Sequence, residues 1–359
     1  MAQDKKSIGA KVPANPKHYQ PFRYPGGKSK LAVNPAFQSL LYPVAESGDT
    51  FYEGFVGSAA ITINVALAYR EKKLVVTDLD NSISGFWLLV AEGTDEEADE
   101  FEQLVTRFSR IGAFDEKPEL KKVEYFKQMR EYGKTVELTL VDRAWQAVFF
   151  NRTTFSGIAM AQPIGGFTQN SKWKIDCRFN GHAIISKFRK LRELFKGRLM
   201  VTREDCWSWL QRIPLAAPCF LDPPYYVKGE ALYPVAMQNF EHGRLATVLR
   251  TRTNWIMSYD ICPEITNLYQ FAKRVRIPFQ YSINGEKSEW VVKNEYIICS
   301  PEIDTAKFEE LVAGYVKQVE DRVAERKGMV PDDTPENWLI GKTPPDGVFD
   351  DAKISPDDL

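Results

Sequence analysis

The sequence is poor in the residues that hold metals and cross-links. Its three histidines (His18, His182, His242) and five cysteines (Cys177, Cys206, Cys219, Cys262, Cys299) lie far apart, with no C-x-x-C pair. Neither a zinc site nor a disulfide framework is indicated. Most of the cysteines stand in apolar, strand-like runs, where a small buried side chain is a commoner role than a reactive thiol. No stretch approaches the ~20 apolar residues of a membrane span. The Lys- and Asp-rich start lacks the apolar centre of a signal peptide. A cytoplasmic protein with no membrane partner and no metal is therefore expected. An excess of either charge is missing too: 47 Lys and Arg stand against 48 Asp and Glu, a formal net charge of −1. Any affinity for a polyanion must then come from a local patch.

What is present is enough apolar residue for a large core, 44% of 359 residues, in one large domain or two smaller ones. Short strand-like runs recur at Thr50–Phe55, Leu74–Asp78, Leu199–Glu204, Cys219–Asp222 and Trp255–Tyr259. Helical patterns separate them, which predicts a mostly parallel sheet with helices on both faces. Val275–Ser282 and Trp290–Cys299 flank Asn284-Gly285, the signature of an antiparallel hairpin at the edge of that sheet. The gap from Asp78 to Leu199 is too long for one crossover. It carries helical spacing of its own (Leu138, Val141, Trp145, Val148, Phe149) before giving way to Gly165, Gly166, Thr168, Asn170 and Ser171, a loop or hairpin composition. Ten Lys or Arg against Asp176 and Glu193 make Lys172–Arg203 the most basic region. It suits phosphates, although Lys187, Arg189, Lys190 and Arg192 fit a solvated helix face equally well. Both ends are polar, and Met329–Leu359 holds eight acidic residues against two lysines, so loosely ordered tails are expected.

Chemistry concentrates where apolar runs end in acids. Pro218-Cys219-Phe220-Leu221 runs into Asp222-Pro223-Pro224-Tyr225, a stiff corner offering acceptors at the carboxyl edge of a sheet, where ligands of open α/β folds bind. Such a corner suits a substrate that donates hydrogens, with Tyr225 as a stacking face. A plain strand-ending turn has the same composition. Phe51-Tyr52-Glu53-Gly54-Phe55-Val56-Gly57-Ser58-Ala59-Ala60 passes from strand to helix through small residues, and Val75-Val76-Thr77-Asp78 ends a second strand about twenty residues on. That pairing is the place where Rossmann-like sheets hold an adenosine ribose, with a helix cap before Ile83 as the alternative for Asp78. Phe22-Arg23-Tyr24-Pro25-Gly26-Gly27-Lys28-Ser29 is not a phosphate loop, since Phe22 stands where Walker A needs glycine. Tyr24 and Lys28 instead offer a ring and a cation to a small carboxylate-bearing ligand.

In order along residues 20 to 300, these segments, with Phe150-Asn151-Arg152-Thr153-Thr154-Phe155-Ser156-Gly157 and Met257-Ser258-Tyr259-Asp260, resemble the Dam-type DNA adenine N6-methyltransferases of the D12 class. Tyr281-Ser282-Ile283 before Asn284-Gly285 is similar to that family's Ser-Ile segment. The resemblance implies an α/β fold: a Rossmann-like S-adenosylmethionine-dependent methyltransferase sheet, mostly parallel with an antiparallel C-terminal hairpin, and an inserted helical DNA-recognition domain. The implied division is a flexible segment 1–20, a catalytic domain 21–82 and 181–303, a target-recognition insert 83–180 with its hairpin at 151–180, and a C-terminal helix and acidic tail 304–359.

The resemblance further implies S-adenosyl-L-methionine as cofactor, held by Tyr24, Lys28, Glu53, Phe55, Asp78 and Asp222, with Asp78 on the ribose. Asp205 would reach the cofactor's adenine, though an acid after a strand is also a routine helix cap. Double-stranded DNA is the implied partner, with room for a cognate restriction endonuclease as companion. The adenine would be flipped out and would meet Asp222, the Pro223 carbonyl and Tyr225, while Asn151, Arg152, Phe155 and Ser156 would meet the duplex. Two departures from the family's pattern stand out: Ala159-Met160-Ala161 replaces the basic residue that GATC-reading relatives carry after the hairpin tip, and Gly54 stands where many relatives have proline. Competing readings are an RNA guanine-N2 methyltransferase of the same fold and a silent DNA-binding relative. Cytosine N4 enzymes usually have Ser at the place of Asp222.

Overall fold

The computed structural model describes residues 16–23, 27–226, 241–281 and 291–327. The expectations for Tyr24, the Asn284-Gly285 turn, residues 1–15 and the acidic tail beyond 327 lie outside the described residues. Of the supposed flexible segment, Pro16–His18 forms a short 3-10 turn, and Pro16 and Gln20 are buried.

Among the described residues, seven strands form one sheet: β1 (Thr50–Gly54), β2 (Lys73–Thr77), β3 (Leu199–Thr202), β4 (Cys219–Leu221), β5 (Trp255–Asp260), β6 (Lys273–Tyr281) and β7 (Val291–Cys299). Their order is β3-β2-β1-β4-β5-β7-β6. All neighbours from β3 to β5 are parallel, and β7 runs antiparallel to both β5 and β6. The hairpin foreseen from sequence is thus present, with its second strand, not its first, beside β5. Successive strands run outward from β1 to β3 and then restart on the other side at β4. The switch point between β1 and β4 is where such sheets bind ligands.

Alternation along the strands sorts the core into two layers. Phe51, Leu74, Val76, Phe220, Ile256, Ile297 and Cys299 face one layer, and Cys219, Leu221, Trp255, Met257, Tyr259, Tyr296 and Ile298 face the other. The first layer is covered by α1 (Ser29–Ala32), α2 (Pro35–Glu46), α3 (Ala60–Ala68), α4 (Asn81–Glu92), α8 (Gly181–Phe195) and α12 (Ala306–Lys327). The second is covered by α9 (Cys206–Arg212), α10 (His242–Arg250) and α11 (Pro263–Leu268).

Between β2 and β3 lie α4, then α5 (Asp95–Arg110), α6 (Pro118–Thr135) and α7 (Leu140–Thr153), then α8. Capping boxes at Thr94/Glu97 and Thr139/Asp142 start α5 and α7, satisfying backbone N–H groups that a helix leaves open at its start. Their aromatic faces, including Phe101, Phe108, Phe126, Trp145 and Phe149, belong to the same continuous core as the first face of the sheet. The insert therefore shares its core with the sheet. Much of the basic run serves this packing. Arg189 grips Glu102 of α5 with two nitrogens, Arg192 donates to the carbonyls of Leu89 (3.0 Å) and Gly93 (2.8 Å), and Lys187 donates to the Gln20 carbonyl (3.0 Å). The segment expected as a hairpin over 151–180 has one antiparallel bridge, Thr154 to Pro163, followed by turns. Buried Gln169 ties those turns to Ile164, Gly166 and Ile175.

Candidate active site

Strand alternation predicts which acids meet. Glu53 stands in register with Phe220 and Val76, and Asp260 stands opposite Glu295. Glu53, Asp260 and Glu295 therefore share the first face of the sheet with Phe220 and Ile297, and Asp222 and Asp78 continue that alternation just past β4 and β2. Five carboxylates are so gathered at one edge. Like charges directly opposite one another destabilise a sheet, so this concentration needs cations or donors.

Lys28, buried at the start of α1, supplies the nearest cation. Its ammonium lies 2.9 Å from Asp222 Oδ1, 2.9 Å from the Tyr225 hydroxyl and 3.9 Å from Glu295 Oε2, and 4.9 Å from the centre of the Tyr225 ring. Ser258 Oγ donates to the same Asp222 oxygen at 2.7 Å, and the Tyr225 hydroxyl donates to Glu295 Oε2 at 2.7 Å. Burial pushes the Asp222 carboxyl up, while Lys28 and Ser258 pull it back down. The Asp222 side chain keeps 24% exposure, so an incoming donor can reach it. Tyr225 lies nearly parallel to Tyr259, with ring centres 6.0 Å apart. Tyr259 in turn bonds the His242 ring, and Asp260 accepts the Tyr226 N–H at 3.0 Å. Pro223 is buried beside these groups.

The β1–α3 turn is sharply bent. Phe55, Gly57 and Ala59 all have positive φ (58°, 44° and 52°), a region non-glycine residues avoid. Two contacts hold the turn: Asp78 Oδ2 accepts the Gly57 N–H at 2.9 Å, and the Trp87 indole donates to the Gly57 carbonyl at 2.8 Å. Asp78 Oδ1 also accepts from the Asp80 N–H at 3.0 Å, and Asp80 is the residue that caps α4. The capping role considered for Asp78 thus belongs to its neighbour. Phe55 is half-buried and packs toward the second layer. Gly54 leaves no room for a larger residue: a Cβ there would stand 2.8 Å from the Leu221 side chain and 3.2 Å from Trp209.

Glu53 accepts both the Thr62 N–H (2.7 Å) and the Thr62 hydroxyl. Burial raises its carboxyl to about 8, with the Thr62 bonds opposing and Asp222 and Asp78 adding to the rise. Burial and then Asp80 raise Asp78 to about 7, against its two backbone hydrogen bonds. Asp205 caps α9, accepting the Ser208 N–H at 2.9 Å and its hydroxyl at 2.7 Å.

The sequence-predicted duplex contacts divide into two kinds. Asn151 is buried and pairs with the backbone of Arg23, accepting its N–H (2.8 Å) and donating to its carbonyl (2.7 Å). Arg152 is also buried and bonds the Pro21 carbonyl. Burial, together with Arg23 and Arg178 nearby, lowers its guanidinium to about 10. Phe155, by contrast, is 45% exposed, and Ser156 beside it is left-handed (φ 53°). Asn151 and Arg152 thus anchor the turn that presents Phe155 against residues 21–23. Gly157 completes the anchor: at φ +73°, a Cβ would come 2.6 Å from the Arg23 carbonyl and 2.8 Å from Asn151 Nδ2. Gly157→Ala should cost about 1–3 kcal/mol through this clash and strain, readable in a denaturant titration.

Neither Ser258 nor Glu295, which hold Asp222 and Tyr225, is among the site residues expected from the sequence. The signal for Glu295 was an acid inside the apolar run that ends in Tyr296-Ile297-Ile298-Cys299, because charged residues are seldom buried unless paired.

Residues 24–283 match the profile of the D12 class N6 adenine-specific DNA methyltransferases. No curated protein sequence matches the chain. Among solved structures, precorrin-6y C5,15-methyltransferase from Geobacter metallireducens GS-15 is similar over 73% of this chain and 85% of its own, at 6% identity and a TM-score of 0.31. That likeness is too loose to bear on fold or chemistry.

Proposed function

Since the chain belongs to the D12 class of N6 adenine-specific DNA methyltransferases, we propose that it transfers a methyl group from S-adenosyl-L-methionine to the amino nitrogen of an adenine flipped out of double-stranded DNA. The observation that carries this reading is Asp222 at the switch-point edge, partly exposed, with one oxygen already fixed by Ser258 and Lys28.

The residues present fit the cofactor. Asp78 offers a carboxylate for ribose hydroxyls beside a turn whose backbone a ligand can approach. In their ionised forms Glu53 and Asp78 would favour a cation. When bound, the cofactor supplies an electrophilic methyl on a sulfonium. An adenine amino nitrogen is a poor nucleophile because its lone pair is delocalised into the ring. Hydrogen bonds from that amino group to Asp222 and to the Pro223 carbonyl would localise the pair toward the methyl. Catalysis would come from positioning and preorganised acceptors. Tyr225 would stack on the extruded base, and Phe155 and Ser156, held out by Asn151 and Arg152, would enter the duplex as the base leaves it.

Glu53 and Asp78 make cofactor binding depend on pH. Both hold protons in the folded protein well above the ordinary carboxylate range, so folding alone is favoured by low pH as far as these two are concerned, and that contribution is lost as pH rises through their raised values. A cationic ligand reverses the preference by favouring the ionised acids. Affinity for the sulfonium cofactor should therefore climb from about pH 6 to about pH 8.5 and then level off, with proton release on binding. The neutral thioether product should show a weaker trend. Calorimetry in buffers of different ionisation enthalpy measures both.

Binding of S-adenosylmethionine, followed by transfer of labelled methyl to duplex DNA and to structured RNA, tests the activity. Label in DNA recovered as 6-methyladenine is expected. Label in RNA as N2-methylguanine, or binding to DNA without transfer, would refute it.

A further inference from the structure

We propose that Glu295 is the second counter-ion of Lys28, a positioning residue that takes the lysine's ammonium when the adenine amino group occupies Asp222. This rests on the reading of Asp222 as the acceptor for that amino group.

In the protein as it stands, one oxygen of the acceptor is engaged. Asp222 Oδ1 carries both the Ser258 hydroxyl and the Lys28 ammonium. An ammonium at 2.9 Å draws negative charge from the whole carboxylate that must polarise the incoming amino group. Lys28 cannot simply withdraw to water, because its side chain is 8% exposed and an unpaired buried charge is costly. A second buried acid is within reach: Glu295 Oε2 is 3.9 Å from the ammonium, with a side-chain exposure of 8%. The Tyr225 hydroxyl spans the two, accepting from Lys28 at 2.9 Å and donating to Glu295 at 2.7 Å. A displacement of about 1 Å along the flexible lysine stem changes a contact of 3.9 Å into a hydrogen-bonded ion pair. The same hydroxyl fixes the ring expected to stack on the base, so release of Asp222 and orientation of Tyr225 are coupled through one carboxylate.

The role accounts for an acid placed directly opposite Asp260 on neighbouring strands, an arrangement that needs a compensating cation. It also separates Glu295 from Asp222 in kind: Asp222 touches the substrate, whereas Glu295 acts through Lys28 and Tyr225.

Glu295→Gln tests this, because the amide oxygen still accepts from Tyr225 while the charge is gone. Single-turnover methyl transfer to duplex DNA should slow about tenfold or more. In a Lys28→Met background the same substitution should change the rate less than about twofold, since the ammonium it would receive is absent. Glu295→Asp, which keeps the charge, should recover part of the loss. Equal losses in both backgrounds, or no loss with Lys28 present, would overturn the proposal. A readout independent of variants is a structure of the wild-type protein with a non-reactive cofactor analogue and duplex DNA. Lys28 on Glu295 and adenine N6 on Asp222 is the expected result. Lys28 still on Asp222 beside a bound flipped adenine would overturn the inference. Wild-type protein that transfers no methyl would count against the parent reading instead.

Discussion

Asp222→Ala is expected to reduce methyl transfer by about a thousandfold, at the upper end of what removing one preorganised polar group from an active site costs. The carboxylate is held by Ser258 at 2.7 Å, a contact that stays in place when Lys28 passes to Glu295, so its direction is set before a substrate arrives. Alanine removes the acceptor without disturbing the strand, since Cys219, Phe220 and Leu221 are buried independently of it. Lys28 keeps Tyr225 and Glu295 as partners, so the fold should survive. Asp222→Asn retains one acceptor oxygen and should fall between wild type and alanine. Single-turnover transfer of labelled methyl, with circular dichroism to verify folding, reads the series. Alanine activity within about tenfold of wild type would remove Asp222 from the reaction.

Asp78→Ala should weaken cofactor binding by about a hundredfold and also lower stability. Two losses combine. The variant lacks the acceptor proposed for the ribose, and it releases the backbone N–H groups of Gly57 and Asp80, both held by this carboxylate. An orphaned buried donor costs about 1–3 kcal/mol. The released turn contains two non-glycine residues with positive φ, Phe55 and Ala59, and it should relax from the conformation that admits a ligand. Asp78→Asn keeps an oxygen for one N–H and should be milder. Titration calorimetry reads the affinity and thermal melting the stability. Unchanged cofactor affinity in the alanine variant would place the ribose elsewhere.

The strands were legible in the sequence to within a residue or two because each is a short apolar run ending in polar or turn residues, as with Cys219–Leu221 before Asp222. The antiparallel edge was legible from the two apolar runs that flank Asn284-Gly285. The position of β7 between β5 and β6 was not, since pairing partners are chosen by long-range packing. Asp222 and Asp78 stood out because acids at strand ends are local signals. Glu295 did not: it meets Tyr225 across 70 residues of sequence, and only the register of β5 with β7 reveals that it shares a face with Asp222. The packing partners of the basic run were hidden for a related reason. A charge pattern records that Arg189 and Arg192 are polar, but not that Glu102 and the end of α4 wait opposite them. Asn151 and Arg152 were legible as a pair of polar residues near the hairpin, while their burial against residues 21–23 depends on a segment more than a hundred positions away.

The central claim is that an acid at the end of β4 prepares an extruded adenine for alkylation. Unmethylated genomic DNA treated with purified protein and S-adenosylmethionine, then mapped at base resolution beside a sample treated with the Asp222→Ala variant, tests it most directly. Wild type should deposit 6-methyladenine at one recurring sequence context and the variant almost none. Absence of 6-methyladenine from the wild-type sample, or an equal pattern from both proteins, would contradict the account.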